Sequence, residues 1–174
     1  MKTLIFPGFS IKNKDWAYEM KIILEPKFQV EVVEWEHWST GNTDFANWNE
    51  WIEKEIPRVL NQIQGEKVNI LAKSIGTLMT MNILKVNPNI INKLFICGIP
   101  LHDIDKTDKL KYKFLINFPK DRLICIQNKN DNHGAYEEVK IFLNEINPEI
   151  KIITKPRDDH DYPYPEDFIN FLAD

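Results

Sequence analysis

Val68-Asn69-Ile70-Leu71-Ala72-Lys73-Ser74-Ile75-Gly76-Thr77-Leu78-Met79 is the stretch on which the reading of this chain turns. An apolar, β-type run enters it and an apolar helical run leaves it. The join is Ala72-Lys73-Ser74-Ile75-Gly76, a small-x-Ser-x-Gly pattern. A serine on a tight strand-to-helix turn is forced into a strained backbone conformation with its Oγ raised. The residues two before and two after it must be small, or their side chains collide, and Ala72 and Gly76 meet that demand. A helix starting after Ser74 points its first N–H groups at the same spot, ready for an oxyanion. The same serine also suits a plain helix N-cap, so the flanks and the rest of the chain must decide.

Working outward, short Val/Ile/Leu runs alternate with helical periodicity. Strands are expected at 3–6, 28–33, in the run before Ser74, and at 93–97, 122–127 and 150–154. A helix of about ten residues is expected from Asp15, with Trp16, Met20, Ile23 and Leu24 inward and Pro26 ending it. Residues 34–43 read as a loop. Thr43 or Asp44 is the expected cap of a helix whose inner face is Phe45, Trp48, Trp51, Ile52, Ile56, Leu60 and Ile63, kinked or broken at Pro57. The helix after Ser74 should stop before Asn87-Pro88-Asn89. A weak helix is expected at 110–114, a firmer one at 135–146 with Val139, Phe142 and Leu143 inward, and a closing one at 166–172. Continuous apolar strands separated by helices mean a parallel sheet covered on both faces, an α/β class of chain. Ligands of such sheets bind beyond the C-terminal strand ends.

Residues 1–174 form one domain on this reading, large enough for a sizeable core. Hydrophobic residues make up 43% and the net charge is −4, so a packed globule is expected and a nucleic-acid partner is not. No apolar run reaches the roughly 18 residues of a spanning helix, so no membrane partner is expected. Met1-Lys2-Thr3-Leu4-Ile5-Phe6 leads straight into a strand with no room for a signal peptide. Cys97 and Cys125 read as buried free thiols, and a cytoplasmic location is expected. A monomer or weak homodimer is expected.

The loops at the C-terminal strand ends gather chemistry: Pro7-Gly8-Phe9-Ser10, Ser74, His102 with Asp103, Asp131 with His133, and Asp158-Asp159-His160-Asp161. Nucleophilic hydrolysis by serine needs a base within hydrogen-bond reach and a carboxylate that fixes the tautomer of that base. All three residue types lie at the correct edge of the sheet. The other serines, Ser10 and Ser39, lack a strand-turn-helix setting. His37, His102 and His133 read as surface or pocket-rim residues. Asp158 and Asp159 read as solvated neighbours. Lys73 could act as a base, but adjacent residues on such a turn point in different directions. Trp35, Trp38, Tyr162 and Tyr164 either line an acyl pocket or simply pack. The 158–161 group lacks a second ligand cluster at fixed spacing, so no metal is expected, and no cofactor.

With these residues in place, the chain resembles a small, cap-less serine hydrolase of the α/β-hydrolase superfamily. The resemblance rests on Phe6-Pro7-Gly8-Phe9, on Ala72-Lys73-Ser74-Ile75-Gly76, on Gln127-Asn128-Lys129-Asn130-Asp131 and on His160, in the order Ser, Asp, His. Asp15-Trp16 after Gly-Phe-Ser is a further point of likeness. The resemblance implies a minimal three-layer α/β/α sandwich, its six parallel strands in the spatial order second, first, third, fourth, fifth, sixth. It implies Ser74 as nucleophile, His160 as base, Asp131 as its acid partner, and the Phe9 and Ile75 N–H groups as the oxyanion hole. The substrate expected is a small-molecule ester or thioester, in an open pocket walled by Phe9, Ile75, the Trp35–Trp38 loop and the Tyr162 loop. The chain departs from the family pattern at Pro7 (usually His), Ala72 (usually Gly) and Asn128 (usually Gly). A non-catalytic interaction module on the same fold is the alternative.

Overall fold

The structure, a computed structural model, describes residues 1–173. Six parallel strands, β1 (Lys2–Phe6), β2 (Gln29–Val32), β3 (Val68–Lys73), β4 (Ile91–Cys97), β5 (Leu123–Asn128) and β6 (Lys151–Lys155), pair in the order β2-β1-β3-β4-β5-β6. This is the expected order. The chain runs outward from β1 to β2, then returns to place β3 on the other side of β1. The crevice for a ligand in such a sheet lies at this reversal, beyond the C-terminal ends of β1 and β3.

The alternation of side chains along each strand splits the core in two. Leu4, Phe6, Ile70, Ala72, Leu94 and Ile96 face one layer, and Ile5, Leu71, Phe95 and Cys97 face the other. The first layer holds α3 (Trp48–Ile63), α4 (Ile75–Val86) and α6 (Tyr136–Ile146). The second holds α1 (Asn13–Leu24) and α7 (Pro165–Ala173). Two shorter helices, α2 (His37–Thr40) and α5 (Lys106–Lys111), lie in the connections. Among the described residues no helix is long and apolar enough to cross a membrane.

Helix α4 is buried over Ile75–Leu84, which fits its lack of a polar face. It begins at the turn that holds Ser74, so the most deeply packed helix fixes that turn. Residues 101–120 pack beside it, with Leu101, Ile104, Tyr112, Leu115 and Phe118 in the core.

Several elements differ from the sequence reading. Helix α1 begins at Asn13, and Asp15 sits in its first turn instead of at the cap. Its inner face is Trp16, Ala17, Met20 and Leu24, which turns Ile23 outward. Helix α3 is capped by Asn47, whose backbone is extended and whose side chain accepts the Glu50 N–H at 3.1 Å. It runs through Pro57 as one element. Pro57 and Glu53, whose carbonyl loses its partner, are both on the solvent face, where water can take that bond. The 34–43 loop contains α2. The weak helix of 110–114 is instead α5, capped by Asp105, followed by a 3-10 turn at Tyr112–Leu115.

Ile83→Ala, at a fully buried position of α4, should cost about 2–5 kcal/mol of unfolding free energy in urea titrations. Ile141→Ala, on the exposed face of α6, should stay within about 0.5 kcal/mol. His37 is buried beneath Phe9, and burial holds its imidazole below the ordinary histidine range. The unfolded chain then binds the extra proton first, so His37 contributes stability above about pH 6.5 that is lost as pH falls. The urea midpoint should therefore drop between pH 7.5 and 5, and drop less in His37→Gln.

Candidate active site

Ser74 joins β3 to α4 with φ 56° and ψ −129°. A non-glycine residue in this region costs roughly 1–3 kcal/mol and is kept only where its surroundings force it. Its N–H donates to the Cys97 carbonyl at 3.0 Å, and its carbonyl accepts from the Thr77 N–H and hydroxyl at 2.9 and 2.7 Å. Thr77 is in turn 2.5 Å from the Tyr112 hydroxyl. Gly76 is required by contact. A Cβ there would lie 2.2 Å from the Phe6 carbonyl oxygen, so the elbow can sit against the end of β1 only without a side chain. Ala72 is fully buried. No side-chain cap bond is made by Ser74, so the N-cap reading does not account for it.

His160 follows β6, and Asp131 lies three residues beyond β5. His160 Nδ1 donates to the Asp131 carboxylate at 2.7 and 3.0 Å. Asp131 also accepts from the Tyr162 hydroxyl at 2.5 Å and from the His133 backbone N–H at 2.8 Å. Its orientation is thus fixed from several sides. Burial, with the Asp131 charge beside it, pushes the Tyr162 phenol well up, so it stays a donor. Among the described residues, His160 Nε2, the nitrogen turned away from Asp131, is buried with no hydrogen-bond partner. Catalytic contacts are often long in unliganded sites and tighten on binding.

Ser74 and His160 line one cleft of about 480 Å³ with Phe9, Ser10, Asn13, Trp48, Ile75, Pro100, Asp103 and His133. A smaller cavity of about 230 Å³ adjoins it across Phe9, Trp48 and Asp103. The structure therefore brings Ser74, His160, Phe9 and Ile75 to one cleft, and Asp131 directly behind His160. Of residues 101–120 only Asp103 reaches this cleft, because Tyr112 and Leu115 anchor the segment against α4 instead.

The walls differ from those expected. Trp35 and Tyr162 are buried in the core and do not line the cleft. Trp48, on α3, does so instead, with its Nε1 donating to the Asp103 carbonyl at 2.8 Å. His37 is buried as well. Lys73 is buried on the opposite face of the sheet. Its Nζ donates to Asn13 at 2.8 Å and lies over the Trp16 ring, and burial lowers its pKa. Its ammonium is thus engaged by Asn13 and the Trp16 ring and makes no hydrogen bond to Ser74 among the described residues. His133 is in the cleft, 4.3 Å from the His160 ring, with its Nδ1 on Asp103 at 2.5 Å.

Sequence reasoning also missed Asn128, noted only as a departure. Its side-chain amide donates to the carbonyls of Asp159 and Asp161 at 2.9 and 2.7 Å, gripping the chain on both sides of His160. Gly98, at φ 62°, leaves room for this loop. A Cβ there would lie 2.5 Å from the Tyr162 ring and 3.1 Å from His160. No sequence pattern announced either contact, although a buried-strand asparagine is unusual enough to ask for a partner.

Residues 31–167 match the family model described as an alpha/beta hydrolase domain. No curated protein matches the chain. Among solved structures it is similar to alpha/beta hydrolase domain-containing protein 10 from mouse, with a TM-score of 0.71 at 11% identity, covering 99% of this chain and 88% of that one. It is similar to an alpha-beta serine hydrolase homologue from Coxiella burnetii, with a TM-score of 0.74 at 13% identity, covering 99% and 85%. A carboxylesterase structure from the thaumarchaeon Nitrososphaera gargenis gives a TM-score of 0.65 at 14% identity, covering 99% and 89%. At such identities these likenesses show the fold. With the family model matching most of the length, the chain belongs to the alpha/beta hydrolase family.

Proposed function

We propose that this protein is a serine hydrolase that cleaves small esters or thioesters through an acyl-enzyme on Ser74. One observation carries the reading. A serine held at φ 56° on the elbow shares a cleft with a histidine whose far nitrogen is tied to a buried carboxylate. Similarity to structures described as a serine hydrolase homologue and as carboxylesterases supports it.

In this reaction the Ser74 Oγ attacks the acyl carbon, and its proton passes to His160 Nε2. Asp131 keeps the Nδ1 proton in place and stabilises the imidazolium without itself taking the proton. The carbonyl electrons move onto oxygen, which the N–H groups of Phe9 and Ile75 receive. Ile75 opens α4, so the positive end of that helix faces the same charge. Collapse of the intermediate expels the alcohol or thiol, which takes the proton back from His160. Water, deprotonated by His160, then releases the acid. A cleft of about 480 Å³ with only Asp103 contributed by residues 101–120 suits short acyl groups.

A fluorophosphonate probe should label the wild-type protein at Ser74, with no adduct at Ser10 or Ser39. Ser74→Ala should not label. Hydrolysis of p-nitrophenyl acetate should fall by about 10⁴-fold in kcat for Asp131→Asn, the scale seen when a triad acid loses its charge. A folded wild-type protein that neither labels nor turns over would sink the enzyme reading.

A further inference from the structure

The loop that bears Phe9 is held by its carbonyls. Trp35 Nε1 donates to the Pro7 and Gly8 carbonyl oxygens at 3.3 and 3.2 Å. His37 Nε2 and Trp38 Nε1 each donate to the Phe9 carbonyl at 2.7 Å. Asn13 Nδ2 donates to the Ser10 carbonyl at 3.1 Å. Four consecutive carbonyls are thus occupied by side-chain donors, and three of those donors come from residues 35–38.

That short stretch is itself fixed. Buried Glu55 of α3 accepts the Glu36 N–H at 2.7 Å and is paired to Arg58 at 2.6 Å. Trp51 Nε1 donates to His37 Nδ1 at 3.3 Å, which leaves the ring proton on Nε2, where it meets the Phe9 carbonyl. The Trp35 ring is 1% exposed and meets Trp51 edge-on at 5.0 Å.

The N–H and C=O of a trans peptide point in opposite directions. An indole N–H on the Gly8 carbonyl therefore turns the Phe9 N–H away from the buried Trp35 ring, and Phe9 itself lines the cleft with Ser74. Gly8 by itself gives the peptide no stiffness. A side chain added there would put a Cβ 2.7 Å from the Asn13 amide and force it off its bonds to Lys73 and the Ser10 carbonyl. Stiffness has to come from the partner of the carbonyl.

We infer that Trp35 is a positioning residue for the reaction. Its indole N–H sets the Gly8–Phe9 peptide so that the Phe9 N–H is aimed at the developing oxyanion before substrate arrives, while His37 and Trp38 lock the next peptide. The inference rests on the proposed role of Phe9 as an oxyanion donor.

The test replaces Trp35 with 3-(3-benzothienyl)alanine, which keeps the ring shape and puts sulfur where the indole has N–H. Trp35→Phe serves as a second, genetically encoded variant. With p-nitrophenyl acetate, kcat should fall about 10- to 100-fold, less than the roughly 10²- to 10³-fold lost when an oxyanion donor is removed outright, because the Phe9 N–H is loosened and not deleted. KM should stay within about twofold, Ser74 labelling by fluorophosphonate should slow in parallel, and the thermal transition should remain cooperative. A folded benzothienyl variant with wild-type kcat overturns the inference, as does a loss of rate that only tracks the folded fraction. If the wild-type protein neither labels nor turns over, the active-site reading fails and this inference with it. A labelled, active wild type beside an unaffected variant overturns this inference alone.

Discussion

The bond from His160 Nδ1 to Asp131 joins two loops 29 residues apart, and the C-terminal half of the molecule is arranged around it. A buried carboxylate must have its lone pairs filled, or its burial is costly. Here the imidazole, the Tyr162 phenol and the His133 N–H fill them. Tyr162 reaches Asp131 because the loop after β6 folds back beneath it, and Asn128 holds that fold by both carbonyls flanking His160. The same tyrosine offers its backbone carbonyl to Trp16 Nε1 at 3.0 Å, which ties the loop to α1. The position of His160 is therefore set by β5, β6 and α1 together.

The N-terminal half depends on a contact of a different kind. Gly76 lets the Phe6 and Pro7 carbonyls close against the start of α4. Ser74 keeps its strained dihedrals because the β4 carbonyl of Cys97 holds its N–H, and α4 is buried along most of its length. The loop after β1 is then gripped from the far side by Trp35, His37 and Trp38. The strand order brings the two halves together, since β1 and β3 are neighbours at the reversal point of the sheet.

Much of this could be read before the fold was seen. The apolar runs gave six parallel strands, and the elbow pattern marked its own strand and helix. Loops at one sheet edge then collected Ser74, Asp131 and His160 together with His102, Asp103 and His133, and the resemblance to α/β-hydrolases singled out the three. Contacts between distant segments were not legible. Nothing local distinguishes Trp35, buried as a donor, from Trp48, which lines the cleft. Both are aromatic residues near a helix start, and only the packing of α3 against the loop after β1 separates them. Tyr162 read as a possible pocket wall because its hydroxyl partner lies 31 residues earlier. Asn47 took the cap from Thr43 and Asp44 through an extended backbone that spacing does not reveal.

The proposed reaction requires a covalent acyl intermediate on Ser74 with His160 as its base. Rapid mixing with p-nitrophenyl acetate, followed by acid quench and peptide mapping, would detect that intermediate. A burst of nitrophenol close to one equivalent per active site is expected, with one acetyl group on Ser74, both lost in His160→Gln. Release that is linear from the first turnover with Ser74 unmodified, or an acetyl group found on Lys73 or His133, would contradict it.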